Sequence, residues 1–193
     1  MLSHSMLMSS SGGLLQNIVF DTAAKVSNYS IRLGSPSVGF DSTNGGMSIS
    51  GPQSQNFVAY DGVGAFNRDV AFISTIKLVS NPFNYIHFGL FLDSGASGVN
   101  GYHIAYDNNK LIISKFVGSS ETRLEKTIDN SISFAVGDSH VFRAEIMKNG
   151  LIRALIDGNL IMESRNYDFA TLRPGFFVYG VGIVVKDISV FAL

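Results

Sequence analysis

Residues 84–93, Asn84-Tyr85-Ile86-His87-Phe88-Gly89-Leu90-Phe91-Leu92-Asp93, alternate without a break. Ile86, Phe88, Leu90 and Leu92 project to one side, and Tyr85, His87, Gly89 and Phe91 to the other. A period of two is that of a β-strand with one face on a core. Upstream, residues 70–80 alternate in the same way, with Phe72, Ile76 and Leu78 on one face, until Asn81-Pro82 breaks the run. Downstream, the Gly/Ser/Asn-rich residues 94–101 lead into a strand at 102–107. Asn108-Asn109 then turns the chain into 110–117, a hairpin with suitable turn chemistry.

The same rhythm extends in both directions. Residues 122–128 read as a strand. Residues 140–148 carry Phe142, Ala144 and Ile146 inward and Arg143 and Glu145 outward. Asn149-Gly150 is the strongest hairpin signal in the chain. It leads to 151–157, and Asp157-Gly158-Asn159 turns again into 160–164. Arg173-Pro174-Gly175 reads as a turn before strands at 176–179 and 183–193, and 168–172 as a single helical turn. Toward the N-terminus, short strands at 16–20, 29–33, 38–40, 47–49 and 57–60 are punctuated by Gly34-Ser35-Pro36, Asn44-Gly45-Gly46 and Gly51-Pro52. Roughly a dozen short strands, with no helical stripe, predict an all-β, two-sheet antiparallel sandwich. Residues 1–13 form a Ser/Met/Gly-rich flexible N-terminal arm, and 14–193 a single domain.

Composition narrows the function. The 193 residues are 46% hydrophobic and only 15% charged, which excludes the disordered class. A net charge of −1 argues against a nucleic-acid partner. The chain has no Cys, so disulfides and thiolate metal sites are excluded. No run is long and apolar enough for a membrane helix. Met1 to Phe20 lacks a basic n-region, so the expectation is synthesis in a cytoplasm without a signal peptide.

The block from Phe72 onward resembles the concanavalin A-like jelly roll, especially its laminin-G-like and pentraxin-like branches. The residues that carry the resemblance begin with Phe72-Ile73-Ser74-Thr75-Ile76-Lys77 and His87-Phe88-Gly89-Leu90-Phe91-Leu92. Gly101-Tyr102-His103-Ile104 follows, paired with Lys110-Leu111-Ile112-Ile113-Ser114-Lys115. The strand opening at His140 is followed by one ending in Asp157-Gly158, and Val185-Lys186-Asp187-Ile188-Ser189-Val190 resembles a closing strand. The resemblance covers about two thirds of the chain and implies a family of glycan binders, glycan-cleaving enzymes and adhesion modules. One departure is the absence of Trp, on which such domains often stack sugars.

The hydrolases of this fold carry a Glu-x-Asp-x-x-Glu strand. None of the four Glu here (Glu121, Glu125, Glu145, Glu163) begins that pattern, and no Gly-x-Ser-x-Gly elbow occurs. A non-catalytic module is therefore expected. If Ile86, Phe88 and Leu90 face the core, Tyr85 and His87 face away from it. His103, Ala105 and Asp107 do the same from the next strand, and Phe91 falls on the same face. Tyr85, His87, Phe91, His103 and Asp107 are thus the candidate glycan-binding set, against the alternative of an ordinary polar outer face. An exposed Phe91 marks a partner surface, a buried one a second packed layer. Calcium, common in the family, has candidate ligands in Asp93, Asn100, Asp107, Asn108 and Asn109; the alternative is turn-forming Asp and Asn.

The leading expectation is a glycan-binding or host-receptor-binding module. The missing signal, the absence of Cys and a short Ser/Gly arm before a jelly roll point to a phage or viral appendage. Such a module acts extracellularly as part of a virion, and is commonly a homo-oligomer, often a trimer. The alternatives are a structural virion or assembly protein, and a diverged polysaccharide hydrolase or lyase.

Overall fold

Alternation of the kind read at 84–93 builds two stacked antiparallel sheets. The computed structural model describes residues 12–95, 98–126 and 133–193. Most of the expected arm, residues 1–11, lies outside the described residues, as does the end of the strand expected at 122–128. Seventeen strands occur among the described residues, more than the turn signals delimit. They are β1 (Leu14–Val19), β2 (Tyr29–Leu33), β3 (Ser37–Asp41), β4 (Gly46–Ser50), β5 (Asn56–Tyr60), β6 (Phe66–Asn67), β7 (Val70–Ser80), β8 (His87–Asp93) and β9 (Gly101–Asp107). There follow β10 (Lys110–Val117), β11 (Ser120–Lys126), β12 (Ser139–Ile146), β13 (Leu151–Ile156), β14 (Asn159–Arg165), β15 (Thr171–Tyr179), β16 (Gly182–Val185) and β17 (Asp187–Ala192).

One sheet runs β14-β13-β12-β7-β16-β4-β3, with β17 and then β1 beside β7; the other runs β11-β10-β9-β8-β15-β5-β2, with β6 on β15. The long β7 serves two neighbours on one edge. Its first half pairs with β17 (Ile73 opposite Ser189) and its second with β16 (Ile76 opposite Val185). Where the neighbours part, the Ser74 hydroxyl donates to the Asp187 carbonyl at 2.6 Å, and the Asp187 carboxylate accepts from the Thr75 N–H at 2.8 Å. Between the sheets lies the main core, with Phe72, Phe88, Tyr102, Phe142 and Phe176 all buried. Phe88, Leu90 and Leu92 point into it, as their alternation requires.

Local turn chemistry acts as the sequence predicts. Asn108 and Asn109 both adopt positive φ (46° and 69°), the pairing a two-residue hairpin needs. Two local readings are corrected. The helical turn expected at 168–172 is absent, and the one short helix described is α1 (Ala23–Val26). Pro174 does not end a strand: β15 runs through it. On one edge of β15, β6 pairs only with Thr171 and Leu172, and β5 begins only at Gly175. Pro174 stands in the gap between them, where a missing N–H breaks no ladder.

Candidate functional site

β8 has β9 on one side and β15 on the other, and the register fixes which outward side chains meet. Asp107, His87 and Tyr179 form one transverse row, and His103, Phe91 and Gly175 another. Between them runs a row of Ala105, Gly89, Phe177 and Phe57. Gly89 and Ala105 leave room that Phe177 fills. Its ring centroid lies 4.6 Å from that of His87 and 4.3 Å from that of His103.

This outer face is not the polar, solvated surface the sequence predicts. Phe57, Phe91, Ala105, Ile112, Phe116 and Phe177 form a second buried cluster, with Val99 packed into it from the segment between β8 and β9. Phe57 is its hub, with ring centroids 4.8–4.9 Å from Phe91, Phe116 and Phe177. Phe91 is therefore a member of a second packed layer. His103 is likewise buried, 1% exposed, and neither ring nitrogen has a hydrogen-bond partner among the described residues. Burial, then the neighbouring His87 and Arg123, push its pKa well below the ordinary histidine value. As a surface contact for a ligand, neither Phe91 nor His103 is available in this conformation.

The end of the face at the start of β8 stays half-open. Tyr85, His87 and Tyr179 are each partly exposed there. Tyr85 donates its hydroxyl to the Asp107 carboxylate at 2.6 Å. Burial, reinforced by that hydrogen bond, holds the phenol above its ordinary pKa, so it remains a donor. The rings of Tyr85 and Tyr179 meet edge to face at 5.7 Å, and His87 lies 6.1 Å from each. The loop before β8 is pinned by two side chains: Tyr85 N–H donates to Asn81, and Ile86 N–H to Asn108. Phe83, half exposed on the same loop, reaches Gly180 next to Tyr179. On β10 and β11, Ser114 (opposite His103) donates to Glu121 at 2.6 Å, and Arg123 lies 3.6 Å from the same carboxylate.

Of the residues singled out in the sequence, Tyr85, His87 and Asp107 converge here, with His103 buried behind them. Tyr179, Arg123 and Phe83 were not singled out. Tyr179 follows from the alternation Phe176 in, Phe177 out, Val178 in, but only the strand order places it beside His87.

The expected calcium ligands do not converge. Asp93 and Asp107 stand at opposite ends of the β8–β9 ladder. Asp93 is held by Arg32 at 2.8 Å; Asn100 accepts from Gly118 N–H, Asn108 from Ile86 N–H and Asn109 from the Tyr106 hydroxyl. These side chains pin turns and ladder ends. Among the described residues, no three His, Asp or Glu side chains are grouped to hold a metal, and no helix is long and apolar enough to cross a membrane.

No family model and no curated relative matches the sequence. Solved structures match its fold. A Bacillus subtilis protein of unknown function with a galectin-like fold superposes with a TM-score of 0.71 at 13% identity, covering 94% of this chain and 96% of its own. The carbohydrate-binding module CBM66 of Bacillus subtilis gives 0.68 at 13% identity, covering 86% and 97%. An endo-β-1,3-glucanase from Pyrococcus furiosus gives 0.61 at 13% identity, covering 94% of each chain. Likeness at this level of identity is likeness of fold, and the chain is a jelly-roll sandwich of the kind shared by these carbohydrate-binding and glucan-cleaving domains.

Proposed function

We propose that this domain is a non-catalytic glycan-binding module whose ligand docks at the half-open end of the outer face, against Tyr85, His87, Tyr179 and Asp107. The observation that carries the reading is the transverse row Asp107–His87–Tyr179 with Tyr85 bonded across it. A sugar ring presents a C–H face and a rim of hydroxyls. Half-exposed aromatic rings offer the first a surface, and the half-exposed His87 imidazole offers the second a hydrogen-bonding partner, with the largely buried Asp107 carboxylate reached at its edge beside the Tyr85 hydroxyl it already holds. The fold neighbours named for carbohydrate binding support the same class of ligand.

A glycan array, including bacterial surface polysaccharides, tests the reading. Tyr85→Ala and Tyr179→Ala are expected to weaken binding about tenfold each, the scale of one lost aromatic contact. His140→Ala, on the other sheet, is expected to leave binding unchanged. Tyr85→Phe, which keeps the ring and loses the bond to Asp107, should fall between. Binding to no glycan, or binding indifferent to both alanine variants, would sink the proposal. A receptor-binding role on a phage particle would use the same face, and the surface polysaccharides on the array test it. Release of reducing ends from any bound polysaccharide would replace the binding reading with a hydrolytic one.

A further inference from the structure

The other end of the same face is built differently. Asp93, the last residue of β8, is fully buried, yet it is a carboxylate. Arg32 of β2 donates to it at 2.8 Å, and the Arg173 guanidinium of β15 stands 3.5 Å away. Arg173 also donates to Asp61 at 2.9 Å, and the Ser30 hydroxyl donates to the second oxygen of Asp61. Two guanidiniums from two strands therefore converge on one buried acid.

Their hydrogen bonding is incomplete. The second Asp93 oxygen and the Nε of both Arg32 and Arg173 are buried with no hydrogen-bond partner among the described residues. A guanidinium is a planar fork of donors matched to oxyanions, and these two use few of theirs. Both side chains remain partly exposed, at 18% and 27%, so the terminal amino groups left without a partner, Nη1 of Arg32 and Nη2 of Arg173, border solvent while both Nε are buried. A cluster kept only for stability would be expected to satisfy its buried polar atoms, because a half-satisfied ionic network costs more than it returns.

We propose that Arg32 and Arg173 form a binding site for an oxyanion, a sugar carboxylate or a free sulfate or phosphate, with Asp93 and Asp61 as positioning residues that hold the two forks toward the ligand. The site lies six residues along β8 from His87, about 20 Å, too far for one monosaccharide to touch both. It therefore stands independently of the glycan reading. If both hold, the natural ligand is an extended acidic glycan.

The test follows the side-chain Nε–H resonances of Arg32 and Arg173 in the whole domain during titration with sodium glucuronate, sodium sulfate and glucose, at ionic strength held constant with sodium chloride. Glucuronate and sulfate are expected to shift both resonances saturably, and glucose to leave them still. Glucuronate binding tighter than sulfate identifies a sugar-borne acid; equal affinities identify a free oxyanion. Arg173→Lys keeps the charge and loses the fork, and is expected to weaken glucuronate roughly tenfold, the loss of one charge-assisted hydrogen bond. Arg32→Lys is the second variant, with thermal melts confirming that both fold. Non-saturating shifts, or unchanged affinity in both lysine variants, would overturn the proposal. Tyr85→Ala separates the two sites: neutral-glycan binding weakens about tenfold while glucuronate binding is unchanged.

Discussion

His103 shows how a side chain's direction and its surroundings are decided by different parts of the molecule. Its direction is local, because alternation along β9 turns it away from Ile104 and the main core. Its surroundings come from other strands: the hairpin partner β10 supplies Phe116, and the sequence-distant β5 and β15 bring Phe57 and Phe177 around the ring. The residue is thus a polar ring in an aromatic box, and the consequence is a signed pH dependence. The folded-state pKa lies well below 6.5, so below about pH 6.5 the unfolded chain binds a proton that the folded chain does not. Stability therefore rises with pH through that region and is lost as pH falls through it. His103→Phe is expected to remove this component and to stabilise the domain at pH 7 by about 1–3 kcal/mol, the cost of unsatisfied buried polar atoms. Urea denaturation between pH 5 and 8 measures both effects. An unchanged acid-side slope in the variant would show that His103 is not its source.

At the scale of single elements, the sequence was readable where the physics is local and silent where it is not. Asn108, Asn109 and Gly150 announce their turns because a tolerance for positive φ is a property of the residue itself. Pro174 reads as a stop, since only the absence of a partner on one edge of β15 makes it tolerable there. The Tyr85–His87–Asp107 grouping was likewise readable from alternation along two consecutive strands. Tyr179 was not, because nothing local says that β15 lies beside β8. Local geometry also makes a prediction. Gly150 has φ of 78°, and a Cβ there would lie 2.4 Å from the Tyr167 ring. Tyr167 is well exposed, and moving aside costs it only a surface hydrogen bond to the Asn149 carbonyl and its contact with Arg68, so backbone strain dominates. Gly150→Ala is expected to cost about 1–2 kcal/mol, the penalty of a left-handed non-glycine residue. Adding Tyr167→Ala should recover only a small part of it. Recovery of most of the loss in the double variant would assign the cost to the ring clash.

For the whole molecule, a two-sheet sandwich is usually pictured as one core with two outer faces. Here the sheet running from β11 to β2 is packed on both. Its inward side carries Phe88 and Phe176; its outward side carries Phe57, Phe91, Phe116 and Phe177, equally inaccessible. The two sides do different work. The inner layer joins the sheets. The outer one fixes the platform between the Tyr85–His87 end and the Arg32–Arg173 end, and so holds both proposed sites in register. If that layer is a true core, its hub should weigh as much as an interior residue. Phe57→Ala removes a ring that touches Phe91, Phe116, Phe177 and His103. It is expected to destabilise the domain by about 3–5 kcal/mol, the range for a buried Phe, and to match Phe88→Ala from the inner side. Chemical denaturation of the two variants side by side decides the point. A Phe57→Ala cost near 1 kcal/mol, with Phe88→Ala at full cost, would mean that the outer layer collapses or rehydrates easily. The face would then be a yielding surface, and the spacing of the two binding ends would no longer be fixed by the fold.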